Sequence, residues 1–139
     1  MWRAEDYELV VGTPSVEEYR RLRLLAGMSG KSAEAAEAGL PNTIFGVTMR
    51  RDGMLVGMGR LVGDGGLFFQ VVDIAVDPEH QGRGLGKRIV GTLVEYVKTT
   101  AHPGAYVSLI ADGEAHRLYA QFGFVATAPA SIGMAFQVE

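Results

Sequence analysis

The sequence predicts an α+β fold, a mixed central β-sheet flanked by helices, and three observations carry that reading. Strand-period and helix-period stretches succeed one another as strand, two helices, three strands, helix, strand, helix and two strands. The three central strands are separated by tight glycine turns, which makes them an antiparallel meander. The widest apolar helical stripe comes directly after that meander and leads across to a further strand.

The first strand is read in Tyr7 to Val11. Thr13-Pro14-Ser15 opens a helix, with Ser15 and Glu18 at capping-box spacing. Tyr19, Leu22, Leu25 and Ala26 recur at helical intervals, while Glu17, Arg20, Arg21 and Arg23 are assigned to the other faces. The helix stops near Gly27. A short alanine-rich helix over Ser32 to Ala38 closes at Gly39, a residue suited to a helix C-terminus.

From Asn42 the period changes to two. Thr43 to Arg51 and Met54 to Val62 are strands joined by the hairpin pair Asp52-Gly53. Gly57 and Gly59 weaken the second strand and signal a bulge or a close backbone approach. Gly63 to Gly66 turns the chain into the longest strand, Leu67 to Val76. Leu85, Ile89, Val90, Leu93, Val94 and Val97 form the wide stripe, which ends before His102-Pro103-Gly104. Ala105 to Ala111 is a strand, and Glu114 to Phe122 a helix stopped by Gly123. Phe124 to Ala126 and Met134 to Val138 are expected to close the sheet around a Pro129 turn.

The 139 residues fall within the range of a single domain, taken as 1–139, and neither repeats nor low-complexity linkers interrupt them. With 47% hydrophobic and 21% charged residues the chain is a soluble globular protein rather than a disordered one. A net charge of −3 and a pI near 5.6 give no overall field for nucleic acid or an anionic membrane. The absence of cysteine removes disulfides, thiolate metal sites and a cysteine nucleophile, and is compatible with the cytoplasm. The N-terminus, from Met1-Trp2 to Asp6, lacks the apolar run of a signal peptide, and no later run is long enough to span a bilayer. A cytoplasmic location is therefore expected. His80, His102 and His116 are too dispersed for a metal site, so no metal is expected, and exposed or capping roles suit them better.

The most informative stretch is Val71-Val72-Asp73-Ile74-Ala75-Val76-Asp77-Pro78-Glu79-His80-Gln81-Gly82-Arg83-Gly84-Leu85-Gly86-Lys87-Arg88. Strand, glycine loop and helix N-terminus in that order form a place for a phosphate. A dinucleotide fingerprint would require glycine where Lys87 stands. A P-loop would require glycine at Gln81 and a hydroxyl at Arg88. Lys87 and Arg88 occupy the first turn of the helix, where cations are disfavoured by ~0.3–1 kcal/mol each. With Arg83 just upstream, the arrangement makes sense around a bound anion. The competing reading is a solvated basic turn.

Gln81-Gly82-Arg83-Gly84-Leu85-Gly86 resembles the Q/R-x-x-G-x-G/A loop of the GNAT superfamily of acyl-CoA N-acyltransferases. Asp73-Ile74-Ala75-Val76-Asp77-Pro78 and Leu118-Tyr119-Ala120-Gln121-Phe122-Gly123-Phe124 are similar to two further segments of that superfamily, and the likeness covers nearly the whole chain. The resemblance implies acetyl-CoA as cosubstrate, its diphosphate held by Gln81, Gly82, Arg83, Gly84, Leu85, Gly86, Lys87 and Arg88. It implies that the backbone of Ile74, Ala75 and Val76 pairs with the pantetheine arm and that Asp112 contacts the same arm. Asp112 is also expected to cap the helix around Glu114.

An acyl transfer poses two proton problems: the amine must lose a proton, and the departing thiolate benefits from receiving one. Tyr119 resembles the tyrosine that many GNAT enzymes present to the thioester sulfur; spacing alone, among Ala115, Leu118 and Phe122, favours a core aromatic, and the family setting favours the acid. Asp73, embedded in apolar sequence, is the candidate base, and the glucosamine-phosphate N-acetyltransferase branch carries a similar Asp-Ile-Ala-Val segment. Its alternatives are an ion pair with an arginine such as Arg60 or a cap on neighbouring backbone, with a water relay deprotonating the amine. Ser108 lacks a nucleophile elbow, which disfavours a hydrolase triad with His116 and Asp112.

The reading is thus an N-acetyltransferase moving acetyl from acetyl-CoA to a primary amine, small-molecule most readily, by direct attack in a ternary complex. A catalytically silent acyl-CoA sensor or interaction module and a protein or peptide N-acetyltransferase are the alternatives. The resemblance is compatible with a homodimer. Met28, Phe68, Gln70 and Met134 are the places where an acceptor pocket is sought.

Overall fold

The computed structural model describes residues 3–139. Met1 and Trp2, the start of the N-terminal stretch read above, lie outside the described residues. The chain runs β1 (Glu8–Val11), α1 (Val16–Leu25), α2 (Ala33–Gly39), β2 (Phe45–Arg51), β3 (Met54–Gly63), β4 (Phe68–Val76), α3 (Leu85–Thr100), β5 (Tyr106–Ser108) and α4 (His116–Ala120). The five strands form one sheet in sequence order; β1 to β4 pair antiparallel and β5 joins β4 in parallel.

Local chemistry accounts for most of these boundaries. The capping box at α1 is complete: Ser15 Oγ accepts from Glu18 N–H, and Glu18 Oε1 accepts from Ser15 N–H. Glu18 also pairs with Arg50 at 2.7 Å, joining α1 to β2. The Asp52-Gly53 turn places both residues at positive φ, the type I′ geometry whose twist suits a hairpin.

The sheet has helices on both faces. On one, Ile89, Leu93 and Val97 of α3 pack on Val47, Val56, Leu61, Phe69 and Val71. On the other, Tyr19 and Leu22 of α1, with Ala36 of α2 and Leu40 just beyond it, pack on Leu55, Met58 and Ala75. Gly59 lets α3 ride close to β3: a Cβ there would stand 2.5 Å from Ile89 Cγ2 and 2.7 Å from Ile74 Cδ1. The close approach expected at this glycine is therefore present.

The associated bulge is in β4. Met58 pairs with Ala75 and Arg60 with Val72, so Asp73 and Ile74 together oppose the single residue Gly59. Asp73 absorbs the extra residue at φ +59°. Because side chains alternate along a strand, one inserted residue exchanges the faces. Phe69 and Val71, before the bulge, face α3; Ala75, after it, faces α1 and α2.

Three sequence expectations are corrected. The strand expected over Ala105 to Ala111 is paired only over Tyr106–Ser108, because β4 and β5 part company beyond Gln70↔Ser108. The helix expected over Glu114 to Phe122 begins as a 3-10 turn, Gly113–Ala115, and is α-helical only over His116–Ala120. Phe124 to Ala126 and Met134 to Val138 are not strands. Alternating apolar residues favour a strand only where a sheet edge receives them, and this chain does not bring that stretch to one.

Candidate active site

The divergence of β4 from β5 opens the middle of the molecule. Beyond Gln70, the edge of β4 that faces β5 has no strand partner, and Val71 to Ile74 border a cleft. The glycine loop connects the end of β4 to α3. Gly82 and Gly84 sit at φ +78° and +79°, conformations that a side chain would strain, and Gly84 is the N-cap of α3.

The loop leaves a set of donors uncommitted. Among the described residues, the amides of Gly82, Arg83 and Gly84 donate to no backbone carbonyl. Those of Leu85, Gly86 and Lys87 precede the bond from Arg88 N–H to Gly84 C=O, in the first turn of α3, where helix geometry supplies no partner. Gln81 Nε2 donates to Val76 C=O and Arg83 Nη1 to Glu79 and Gln81 C=O, fastening the loop to the end of β4 and to itself. Lys87 and Arg88 are exposed and form no ion pair among the described residues. Free amides, a helix N-terminus and two uncommitted cations suit an anion.

Two clefts meet at the bulge. One, of about 510 Å³, is bordered by Met28, Ile74, Asp112 and Tyr119. The other, of about 560 Å³, is bordered by Tyr19, Lys31, Arg60, Val62 and Gln70. Arg23, Val71, Val72, Asp73 and Ile110 line both. Of the four residues expected near an acceptor, Gln70 and Met28 line these clefts, whereas Phe68 and Met134 line neither and are exposed.

Asp73 is buried at the junction and fully engaged. Arg23 Nη1 donates to Oδ1 at 2.6 Å and Arg60 Nη1 to Oδ2 at 2.8 Å. Tyr19 O–H lies 3.0 Å from both oxygens. The two guanidinium groups are equally occupied. Arg23 also donates to Ser29 C=O and Oγ, and Arg60 to Thr43 Oγ1 and Gly39 C=O. The ion pair weighed for Asp73 with Arg60 is therefore present, and Arg23 doubles it. Burial first, and then the Asp73 carboxylate, push the Tyr19 phenol above its ordinary value.

Tyr119 is buried in a cluster with Val90 and Val94, edge-on to Phe124 at 6.2 Å between centroids. It is thus both a core aromatic and part of a cleft wall. Its hydroxyl makes no hydrogen bond among the described residues. Burial, and secondarily the Asp112 carboxylate, raise its phenol above the usual value of 10. Asp112 occupies the N-cap position of the 3-10 turn, but its side chain makes no capping bond, contrary to the expected capping role.

A match that runs through most of the chain decides the family. The model of the acetyltransferase (GNAT) family matches residues 7–124. The chain is a GNAT acetyltransferase. This acetyltransferase is 46% identical to a Staphylococcus aureus protein of unknown function, described as a probable acetyltransferase, with a TM-score of 0.91 over 95% of this chain and 99% of the other. It is 36% identical over 80 residues to the chloroplastic GCN5-related N-acetyltransferase 2 of Arabidopsis thaliana, a match spanning 58% of this chain and 30% of that longer protein. The fold is shared with the Arabidopsis glucosamine-6-phosphate N-acetyltransferase, at 17% identity and a TM-score of 0.67 over 95% of this chain and 99% of the other.

Sequence reasoning missed Tyr19 and Arg23 of this acetyltransferase as site residues. The helical period makes Tyr19 an ordinary inward aromatic and assigns Arg23 to another face, although it is buried. The available signal was their spacing: four residues apart, they share one face of α1 with Leu22 and Ala26. His80, expected to be exposed or capping, is buried, its Nδ1 2.8 Å from Tyr7 O–H. His116 meets Gly113 C=O through Nδ1, not Asp112. No helix among the described residues is long and apolar enough to cross a membrane.

Proposed function

We propose that this GNAT acetyltransferase moves acetyl from acetyl-CoA to the primary amine of a small molecule, by direct attack with both substrates bound. The observation that carries this reading is the meeting of two clefts at one buried carboxylate, one bordered by Tyr119 and the other by Arg60 and Lys31. A donor entering from the glycine loop and an acceptor entering from the opposite side would meet between them.

The amides of Gly82 to Lys87, with Lys87 and Arg88, form the anion cradle for the coenzyme diphosphate. Gln81 and Arg83 hold the loop in shape. The unpaired edge of Ile74, Ala75 and Val76 offers backbone groups to an amide-bearing arm, and Asp112 borders the same cleft. Acetyl-CoA supplies an acyl group whose thiolate leaves as the new C–N bond forms. Tyr119, kept protonated by its surroundings, donates the proton to the leaving sulfur.

Asp73 is assigned a positioning role through Tyr19, Arg23 and Arg60, since both its oxygens already accept hydrogen bonds. The proton of the amine then leaves through water in the open acceptor cleft. Arg23, Lys31 and Arg60 against Asp73 give that cleft an excess of cations, which favours an amine that also carries an anionic group.

The deciding experiment measures acetyl-CoA binding and acetyl-dependent thiol release over a panel of small amines, with and without acidic substituents, and over peptides. Release with a small amine supports the reading. Binding without release on any acceptor would replace it by a coenzyme-binding sensor, and release on peptides alone by a protein acetyltransferase.

A further inference from the structure

Beside the acceptor cleft lies a side pocket that acyl transfer by itself does not require. It holds about 170 Å³ and is bordered by Ala35, Ala36 and Gly39 of α2 and by Leu40. Tyr19, Lys31 and Arg60 complete its wall, and the same three residues border the larger cleft of about 560 Å³. The two spaces therefore adjoin across these side chains. The Tyr19 hydroxyl and the Arg60 guanidinium are engaged with Asp73, and long basic side chains cover apolar space with their stems. A cavity of about 150 Å³ takes up a benzene ring, so this pocket has room for one ring or a branched aliphatic group.

Three cations line the larger cleft, and they differ in what they already hold. Arg23 and Arg60 donate to Asp73 and to backbone or hydroxyl oxygens around them. Lys31 is fixed at its base instead. Its carbonyl accepts from Arg20 Nε at 2.8 Å, and Ser32 caps α2 by accepting from Ala35 N–H at 3.1 Å. Its ammonium forms no ion pair among the described residues. A lysine anchored through its main chain, unpaired at its tip and shared by two adjoining concavities is placed to meet an anion that comes with a ligand.

We infer that the acceptor is an amphipathic anionic amine, whose carboxylate or phosphonate-type group pairs with Lys31 and whose ring or branched chain enters the side pocket. The place of the amine at the Asp73 junction is taken from the reading under Proposed function, on which this assignment rests. Lys31 then selects for the anion, and Ala35 sets the depth left for the apolar group. Ala35 is exposed on α2, so a larger side chain there takes space from the pocket and not from the core, whereas Ala36 is buried in the cluster with Tyr19 and Leu22.

Thiol release from acetyl-CoA over matched amines reads the two groups separately. The probes are phenylalanine, its phosphonate analogue, phenethylamine, which lacks the anion, and glycine, which lacks the ring. For phenylalanine or its phosphonate, kcat/KM should exceed that of each of the other two by about tenfold or more, the scale of one charged hydrogen bond or one filled apolar pocket. The better of the two acids identifies the kind of anion. Lys31→Gln should lower the preference for phenylalanine over phenethylamine about tenfold, through KM rather than kcat, and Lys31→Arg should retain most of it. Ala35→Leu places a good helix former at an exposed position and should lower the preference for phenylalanine over glycine by a similar factor. Circular dichroism and the thermal midpoint should hardly change in these variants, since both positions are exposed. Release that gains nothing from the anion or the ring, or preferences unmoved in the variants, would overturn the assignment and leave the acyl transfer standing. Binding of acetyl-CoA without release on any amine would overturn both.

Discussion

Arg23 Nη1 and Asp73 Oδ1 lie 2.6 Å apart although fifty residues separate them in the chain, and both side chains are almost wholly buried. The pair joins α1 to the bulge of β4. Arg60 completes it from β3 at 2.8 Å, so three elements are pinned where the two clefts meet.

That relationship gives the first prediction. Asp73→Asn keeps a residue that tolerates φ +59° but removes the charge, leaving two guanidinium groups without their carboxylate. Breaking a buried pair in this way costs about 3–5 kcal/mol. Urea denaturation should show a loss of that order. Where the variant remains folded, KM for the amine should rise more than kcat falls. A collapse of kcat with unchanged KM would instead make Asp73 the base.

Tyr119→Phe leaves the packing against Val90, Val94 and Phe124 in place and removes only the donor. Steady-state thiol release should fall by about a hundredfold or more, with acetyl-CoA affinity nearly unchanged. In the wild type the raised phenol keeps its proton through neutral and mildly alkaline pH. Loss of rate through Tyr119 is therefore expected only above pH 10.

Gly82→Ala and Gly84→Ala separate loop conformation from ligand contact. A Cβ at either position meets nothing within 4 Å, so the folded protein loses only the cost of positive φ, about 1–2 kcal/mol. If the coenzyme diphosphate lies against this loop, the methyl groups intrude on it. Calorimetric titration with acetyl-CoA should then show weakening greater than the loss of stability explains; equal losses would remove the loop from coenzyme binding.

The pair Glu18–Arg50 predicts an acid limb. The Arg50 hydrogen bond, foremost, with backbone help from Ser15, lowers Glu18 from 4.5 to about 2. A carboxyl depressed in the folded state contributes stability above its unfolded value of 4.5 and loses it as pH falls through about 2. Solvent screens this surface pair, so its worth is about 0.5–1 kcal/mol. Arg50→Met should lower the urea midpoint at pH 7, and the difference from wild type should shrink as pH approaches 2.

Much of the architecture was legible because its signals are local. The Ser15–Glu18 capping box, the Asp52-Gly53 turn and the Leu85-to-Val97 stripe each depend on neighbours a few residues apart, and each is found in the structure. The glycine loop was legible for the same reason. Strand, turn and helix N-terminus are contiguous, and the free amides follow from helix geometry itself. Where a segment needed a distant partner, pattern alone misled. Ile132 to Val138 has the alternation of a strand but does not pair with the open β5 edge of the sheet.

By itself, the sequence determined the α+β order of elements as far as α4, the glycine loop at the start of α3 and the family resemblance, because composition, period and contiguous motifs encode them directly. Only the tertiary structure decided what Asp73 touches. A single extra residue in β4 exchanges the faces of the strand, and that aims Asp73 at Tyr19, Arg23 and Arg60. No one-dimensional pattern records on which face a carboxylate emerges after a bulge, or that an arginine on a distant helix turns inward to meet it. Those outcomes depend on packing, where buried charges persist only when opposite charges and hydrogen bonds surround them.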